Sequence, residues 1–320
     1  MAIKLKELSQ IIKPKETRPE ATPTLRDALT KPQQTVECYY FTPSLKTVYS
    51  EIFECVIHKR GQGFWIRAEY GAGKTHFLAT LAILLTSIED GLWDQVHSKE
   101  VQKEYRAPLS KIKLFPITFS LLGSGEVEAG DSLMRIFEEQ IIEALATQDP
   151  VLAKKVKITS EELAIDWYEH DANEDQKAGI NNFFRREHKC TPEEFRSSQG
   201  NRKFGQELVR SKFTEGKLKG RFKERFGIIY RQIIELGGYD GLLFVVDEFR
   251  SWQDRHEGKA SFEEGIQVLE TLAYYLPVEE KMNIFTIVAS QGDCPQKLMG
   301  AGQGDRFIVR ELLSGKEQSD

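Results

Sequence analysis

Near residue 70 the chain reads Ala68-Glu69-Tyr70-Gly71-Ala72-Gly73-Lys74-Thr75-His76. Two glycines, a lysine and a hydroxyl at this spacing suit the gripping of a phosphate chain. The stretch fits the phosphate-loop pattern G-x-x-x-x-G-K-[ST], with Ala68 in place of the first glycine. Backbone N–H groups of 71–75 would point inward at the phosphates, and a helix starting near Lys74 would add its positive N-terminal dipole. Gly71 and Gly73 permit the turn and the close backbone approach. Lys74 is expected to reach the β and γ phosphates, and Thr75 to place its hydroxyl on Mg²⁺. Ala68 shapes the turn more than it touches phosphate, and Glu69 must point away. His76 reads as a helix residue packing behind the loop, at the end of the nucleotide-binding stretch 68–76. A chance glycine turn is the competing reading. The apolar Phe64-Trp65-Ile66 before the motif and the apolar run Phe77–Leu85 after it argue against chance.

A second element must stand beside this loop. Leu242-Leu243-Phe244-Val245-Val246-Asp247-Glu248 is an apolar run ending in two acids, the pattern of a central parallel strand. Asp247 would hold Mg²⁺ through water, and Glu248 would polarise the attacking water. Two solvated acids after a buried strand are the plain alternative, but both motifs need the same sheet. A polar group is then expected near the γ-phosphate at the tip of a neighbouring strand. Ile284–Ala289 is apolar and leads into Ser290-Gln291. Gln291 could orient water or sense phosphate, with Ser290 as the second choice and an ordinary polar loop as the alternative. No N-K-x-D motif is present, so ATP is favoured over GTP.

The remaining composition is that of a soluble globular chain: 320 residues, 40% hydrophobic and 29% charged, with a net charge of −5. That balance excludes a basic nucleic-acid coat, so any nucleic-acid contact must come from a local patch. Cys38, Cys55, Cys190 and Cys294 form no C-x-x-C pair and fit neither a disulfide framework nor a zinc site, as expected for thiols in a reducing cytosol. The N-terminus has no apolar signal core, and the longest apolar stretch, Phe77–Leu85, is far short of the roughly 20 residues that span a bilayer. A cytoplasmic protein with no membrane contact is expected.

Residues 1–35 read as an N-terminal arm or linker, with prolines at 14, 19, 23 and 32. A helix capped by Ser44 is expected through about Ile57. The strand at 64–66, the helix from Lys74 to about Leu85, a strand over Lys113–Leu122 and a helix over Leu133–Leu145 complete a first core segment, 36–149. Leu242–Val246, a helix near Phe262–Tyr275, a strand at Ile284–Ala289 and a short strand within Arg306–Leu312 form a second, 236–320. Strands alternating with helices argue for an α/β fold: an open, mainly parallel sheet with helices on both faces.

Residues 150–235 differ. Seven acids and no base lie between Ser160 and Asp175, while 185–225 carries thirteen Lys/Arg against six Glu. Phenylalanines interleave at 183, 184, 195, 204, 213, 222 and 226. The block reads as a mostly helical insertion, and the long separation of Lys74 from Asp247 supports this. Its bases and aromatics could bind a DNA backbone. The favoured reading is an amphipathic helical insert whose phenylalanines form its own core. Tyr39-Tyr40-Phe41 could line an adenine pocket, with packing as the simpler use.

Gly-Ala-Gly-Lys-Thr-His-Phe-Leu at 71–78, the strand ending Asp247-Glu248-Phe249, and Val288-Ala289-Ser290-Gln291 together resemble the N-terminal ATPase module of BREX-type phage-defence proteins of the BrxC and PglY kind. These are AAA+-type P-loop ATPases. The resemblance spans about residues 36–312. It implies ATP hydrolysis with Mg²⁺ coupled to defence against foreign DNA, self-association or a larger assembly, and defence-system or DNA partners. It carries over onto Lys74, Thr75, Asp247, Glu248 and Gln291. The chain departs from the pattern in length, since no helical lid with a second sensor arginine follows the last strand, and a truncation before that lid is expected. Arg306 and Arg310, or Arg250 and Arg255, are arginines that could complete a neighbour's site; ordinary surface roles are the alternative. An ATP-gated switch with negligible turnover is the competing function. A small-molecule phosphotransferase ranks last for want of a lid motif.

Overall fold

The computed structural model describes residues 24–69, 71–87, 90–122, 132–211, 222–299 and 306–312. Its centre is a five-stranded sheet made of β1 (Gln62–Arg67), β2 (Leu114–Ser120), β3 (Gly241–Asp247), β4 (Ile284–Ser290) and β5 (Phe307–Glu311). Every pairing is parallel, and the spatial order is β2-β3-β4-β1-β5. β3 and β4 are buried at every residue, so their unbroken Val, Ile, Leu and Phe runs meet apolar layers above and below. β2 is an edge strand, and its burial alternates from Pro116 onward. An open, all-parallel α/β fold is therefore present, as the alternation of strand and helix patterns predicts.

Helices cover both faces. One face carries α1 (Leu25–Thr30), α2 (Pro32–Glu37), α3 (Pro43–Ile57), α4 (Lys74–Thr86), α5 (Asp90–Asp94) and α6 (Lys99–Leu109). There Ile66, Leu243, Val245, Phe285 and Ile287 from the sheet meet Phe77, Leu81, Tyr49 and Phe53 from the helices. The other face carries α7 (Leu133–Gln148), α8 (Pro150–Ala153), α12 (Phe222–Gly237), α13 (Phe249–His256), α14 (Ala260–Glu270) and a π-helix over Thr271–Glu279. Here Trp65, Phe244, Val246 and Val288 pack on Phe137, Ile141, Phe226 and Trp252. The alternation of sheet side chains between the two clusters is the period-two rule of a strand buried on both sides.

Two expectations are corrected. Residues 24–35 are not an extended arm. Thr24 caps α1 with a reciprocal capping box to Asp27, and Pro32 opens α2 at a position where its missing N–H costs nothing. Leu25, Ala28 and Val36 enter the core, so the prolines mark helix starts. Residues 1–23 lie outside the described residues.

The insertion is narrower than 150–235. α8 and α12 belong to the main core, through Leu152, Phe226, Ile229 and Ile233. The separate unit is α9 (Ser160–His170), α10 (Glu174–His188) and α11 (Pro192–Arg210), with its own core of Trp167, Ile180, Phe184, Phe204 and Leu208. α11 is kinked at Gly200, which sits at φ +83°. Several bases there are tied internally: Arg196 to Glu169 at 2.6 Å, Arg186 to Glu187 at 2.8 Å, Arg210 to Glu207 at 3.5 Å. Phe184 and Phe204 are buried in the insert's core, Phe183 and Phe195 pack against it, and Phe226 joins the main core instead; 212–221 lie outside the described residues.

Candidate functional site

β1 ends at Arg67, and the chain turns before entering α4 at Lys74. Gly71 and Gly73 both occupy left-handed backbone, at φ +79° and +81°, a region where a Cβ carries a steric penalty of about 1–2 kcal/mol. Gly73 is the N-cap of α4 and has no side chain to cap it. The N–H groups of the first helical turn therefore lack an intrahelical acceptor. Ala68 is buried and its N–H donates to the Ser290 carbonyl at 3.2 Å, tying the turn to the tip of β4. Glu69 is exposed, its carbonyl accepting from Ala72 N–H at 3.3 Å. Tyr70 lies outside the described residues.

Lys74 is buried, and its Nζ donates to the carbonyls of Ala68 at 3.1 Å and Glu69 at 2.9 Å. The ammonium is thus held across the mouth of its own turn. Thr75 Oγ1 donates to Asp247 Oδ2 at 2.7 Å, joining residues 172 apart in sequence. Asp247 ends β3, and its other oxygen accepts from the Glu248 N–H at 2.8 Å. Glu248 caps α13 with φ +57°, an uncommon backbone state for a non-glycine residue and one that recurs at functional sites.

The loop strand and the acidic strand are not neighbours. β4 lies between β1 and β3, paired with both. The turn and the acids meet at the same end of the sheet because all three strands are parallel. Ser290, not Gln291, sits at the end of β4: it is buried and in register with Arg67, and its Oγ accepts from Gly292 N–H at 3.1 Å. Gln291 lies just past the strand, is exposed and does not line the cleft. His76 does not line it either. Its Nε2 lies 2.7 Å from the Thr35 carbonyl oxygen, and its ring packs edge-on to Tyr39 at 5.0 Å. Tyr39 and Phe41 are core residues, while Tyr40 is exposed.

A cleft of about 1210 Å³ opens over this constellation, lined by Gly71, Gly73, Lys74, Thr75, Asp247 and Glu248, and continues along β2 between α1 and α7. Sequence reasoning missed the α1 and β2 walls. The alternation of Phe115, Ile117 and Phe119 with Pro116, Thr118 and Ser120 was the available signal, since a strand with one polar row is an edge strand. The four arginines considered for a trans role all have partners in this chain. Arg306 pairs with Glu270, Arg310 with Glu51, Arg250 with Asp254, and Arg255 Nη2 donates to the Leu121 carbonyl.

The donor set suits a hard divalent cation. A hydroxyl and one carboxylate already converge, and Mg²⁺ typically takes one or two protein oxygens and completes its shell with water and substrate phosphates. No cluster of three or more His, Cys, Asp or Glu exists among the described residues that would hold a metal by itself.

Burial pushes the Asp247 carboxyl above its ordinary range, with Thr75, the Glu248 amide and Lys74 opposing. Burial also raises Glu248, assisted by the Asp247 charge and opposed by Lys74. An acid raised in the folded state costs stability as pH climbs from the ordinary carboxylate range through the folded pKa, and the cost persists above it. Asp247→Asn removes that ionisation. The melting temperature of this variant relative to wild type is therefore expected to rise as pH climbs above the ordinary carboxylate range, read in metal-free buffer by calorimetry. A flat difference would show that the Asp247 charge is not penalised.

No family model, curated protein or solved structure matches this chain. The fold and site define an open parallel α/β protein with a glycine turn and an acidic strand end facing one cleft. Among the described residues no helix is long and apolar enough to cross a membrane.

Proposed function

We propose that the protein is a Mg²⁺-dependent ATPase of the P-loop class, AAA+-like in architecture. The observation that carries this reading is the 2.7 Å hydrogen bond from Thr75 to Asp247. It brings together the hydroxyl that would ligate a nucleotide-bound Mg²⁺ and the carboxylate that would hold the metal through water, and the buried Lys74 lies in the same cleft. Mg²⁺, when bound, would neutralise charge on the β and γ phosphates. The chain's own groups would do the rest. The first-turn amides of α4 and Lys74 bind and orient the phosphates, Thr75 and Asp247 hold the metal's shell, and Glu248 accepts a proton from water. ATP is preferred over GTP because the guanine-reading motif is lacking.

The test is metal-linked nucleotide affinity. Thr75→Ala is expected to weaken ATP binding at least tenfold in the presence of Mg²⁺ and little in EDTA, measured by titration calorimetry. Equal losses with and without the metal would remove Thr75 from the metal shell. The wider role, within a larger anti-phage or DNA-processing assembly, is proposed on the motif resemblance. Nucleotide-dependent sizing and neighbouring methyltransferase genes are its checks.

A further inference from the structure

Among the described residues β2 borders the sheet, and one lateral row of its peptide groups has no neighbouring strand there. The phase of that row is fixed at both ends: the Lys113 carbonyl accepts from Asp240 N–H, and Leu121 N–H donates to the Asp247 carbonyl. Peptide groups alternate in direction along a strand, so odd-numbered residues face β3 while Pro116, Thr118 and Ser120 face outward. Gln148 Nε2 donating to the Pro116 carbonyl at 2.9 Å agrees with this phase. The main-chain N–H and C=O groups of Thr118 and Ser120 have no partner among the described residues, and both residues are partly exposed.

The space before them is the continuation of the cleft that holds Lys74 and Asp247. At about 1210 Å³ the whole exceeds the roughly 300–1,000 Å³ of a typical small-ligand pocket, so room remains beyond a nucleotide. The two walls differ in chemistry. α1 contributes Leu25 and Leu29, with Arg26 beside them, and α7 contributes Gln140, Glu143 and Thr147.

We propose that this groove binds an extended segment of a partner polypeptide as an added strand on the free edge of β2, with apolar residues alternating with basic ones. Main-chain pairing would use Thr118 and Ser120. Side chains of an added strand point alternately to its two sides, so one set meets Leu25 and Leu29 and the other meets Glu143. A basic side chain matches Glu143 by charge, and Glu248 extends the acidic character at the top of the groove. An added strand is the recognised way for an extended peptide to satisfy a bare sheet edge. Leu121 couples the groove to the nucleotide site: besides its bond to Asp247, its carbonyl accepts from Arg255 at 3.3 Å, and Arg255 rides on α13, which Glu248 caps. That coupling rests on the ATPase reading; the binding site itself does not.

The test uses a fluorescein-labelled Lys-Val-Lys-Val-Lys-Val-Lys peptide titrated into the full chain without nucleotide and read by anisotropy. Saturable binding is expected, at least tenfold weaker in Thr118→Pro and in Glu143→Lys, with no binding of the Glu-Val counterpart. Thr118→Pro removes only an outward N–H, so the β2–β3 ladder is spared, and edge strands tolerate proline. An unchanged thermal melt checks the fold of each variant. Wild type failing to saturate, or both variants binding as wild type does, would overturn the proposal. A single-stranded oligonucleotide that displaces the peptide and binds Glu143→Lys more tightly would assign the groove to nucleic acid instead. Saturating peptide is expected to change the ATP turnover rate at least twofold, and an unchanged rate would remove the coupling. A chain that binds peptide but not ATP would lose the ATPase reading while keeping this site.

Discussion

If the ATPase reading holds, Glu248→Gln is expected to lower phosphate release by about 10²–10⁴-fold, the range for loss of a positioned general base, with ATP binding retained. Three features support this outcome. Glu248 stands at the cleft beside Asp247, and it is held by its own amide bonding the Asp247 carboxylate at 2.8 Å. Its left-handed backbone, at φ +57°, makes a sharp turn from β3 into α13. Burial and the neighbouring Asp247 charge favour the protonated carboxyl, which raises its basicity towards what proton abstraction from water needs. Glutamine keeps the shape and loses the base. The measurement is single-turnover release of labelled phosphate alongside equilibrium ATP binding. If turnover is near wild type, Glu248 is not the base. If wild type itself turns over negligibly yet binds ATP tightly, the switch reading takes over.

Lys74→Ala is expected to weaken ATP binding by at least about 10²-fold. Charge-assisted hydrogen bonds to phosphate are about twice as strong as neutral ones, and removing a buried ionic partner costs about 3–5 kcal/mol when the other charge stays buried. Lys74 is the buried cation of the cleft, held by two carbonyls of its own turn rather than by a carboxylate. It can therefore release those carbonyls for phosphate oxygens without breaking an ion pair. Arg26 is the cleft's other cation, but it is exposed on α1 and does not replace a buried one. ATP affinity by calorimetry, with a thermal melt to verify folding, checks this. An affinity within threefold of wild type would mean that the turn does not grip the phosphate chain.

The glycine turn was legible because its requirements are local. Left-handed backbone at 71 and 73, a lysine and a hydroxyl at the next two positions, and an apolar helix beyond are demands on consecutive residues. Asp247 and Glu248 were legible for the same reason: an unbroken apolar strand must emerge into solvent, and its last residues show what it presents. The helical insert was visible in its charge blocks and phenylalanine spacing, although its limits were not. Whether α8 and α12 pack on the sheet or on the insert depends on partners such as Phe244 and Ile141, which lie far away in sequence.

The expectation of an extended arm fails over residues 24–35 because proline marks both extended chain and helix starts. Only the docking of Leu25, Ala28 and Val36 against α4 separates the two. Gln291 is favoured over Ser290 by its chemistry, but neither lines the cleft: Ser290 is buried and Gln291 is exposed beyond the strand. β4 ends at Ser290 opposite Arg67, and the chain bends away one residue later.

Sequence by itself therefore determined the parts that local backbone geometry and burial dictate: a glycine turn opening a helix, an acid-tipped central strand and an α/β sheet. Tertiary structure alone decided the strand order, the insertion of β4 between the two site strands and the bare edge of β2 beside the cleft. Those follow from hydrogen bonds and packing between segments far apart in the chain, where no single stretch carries the information.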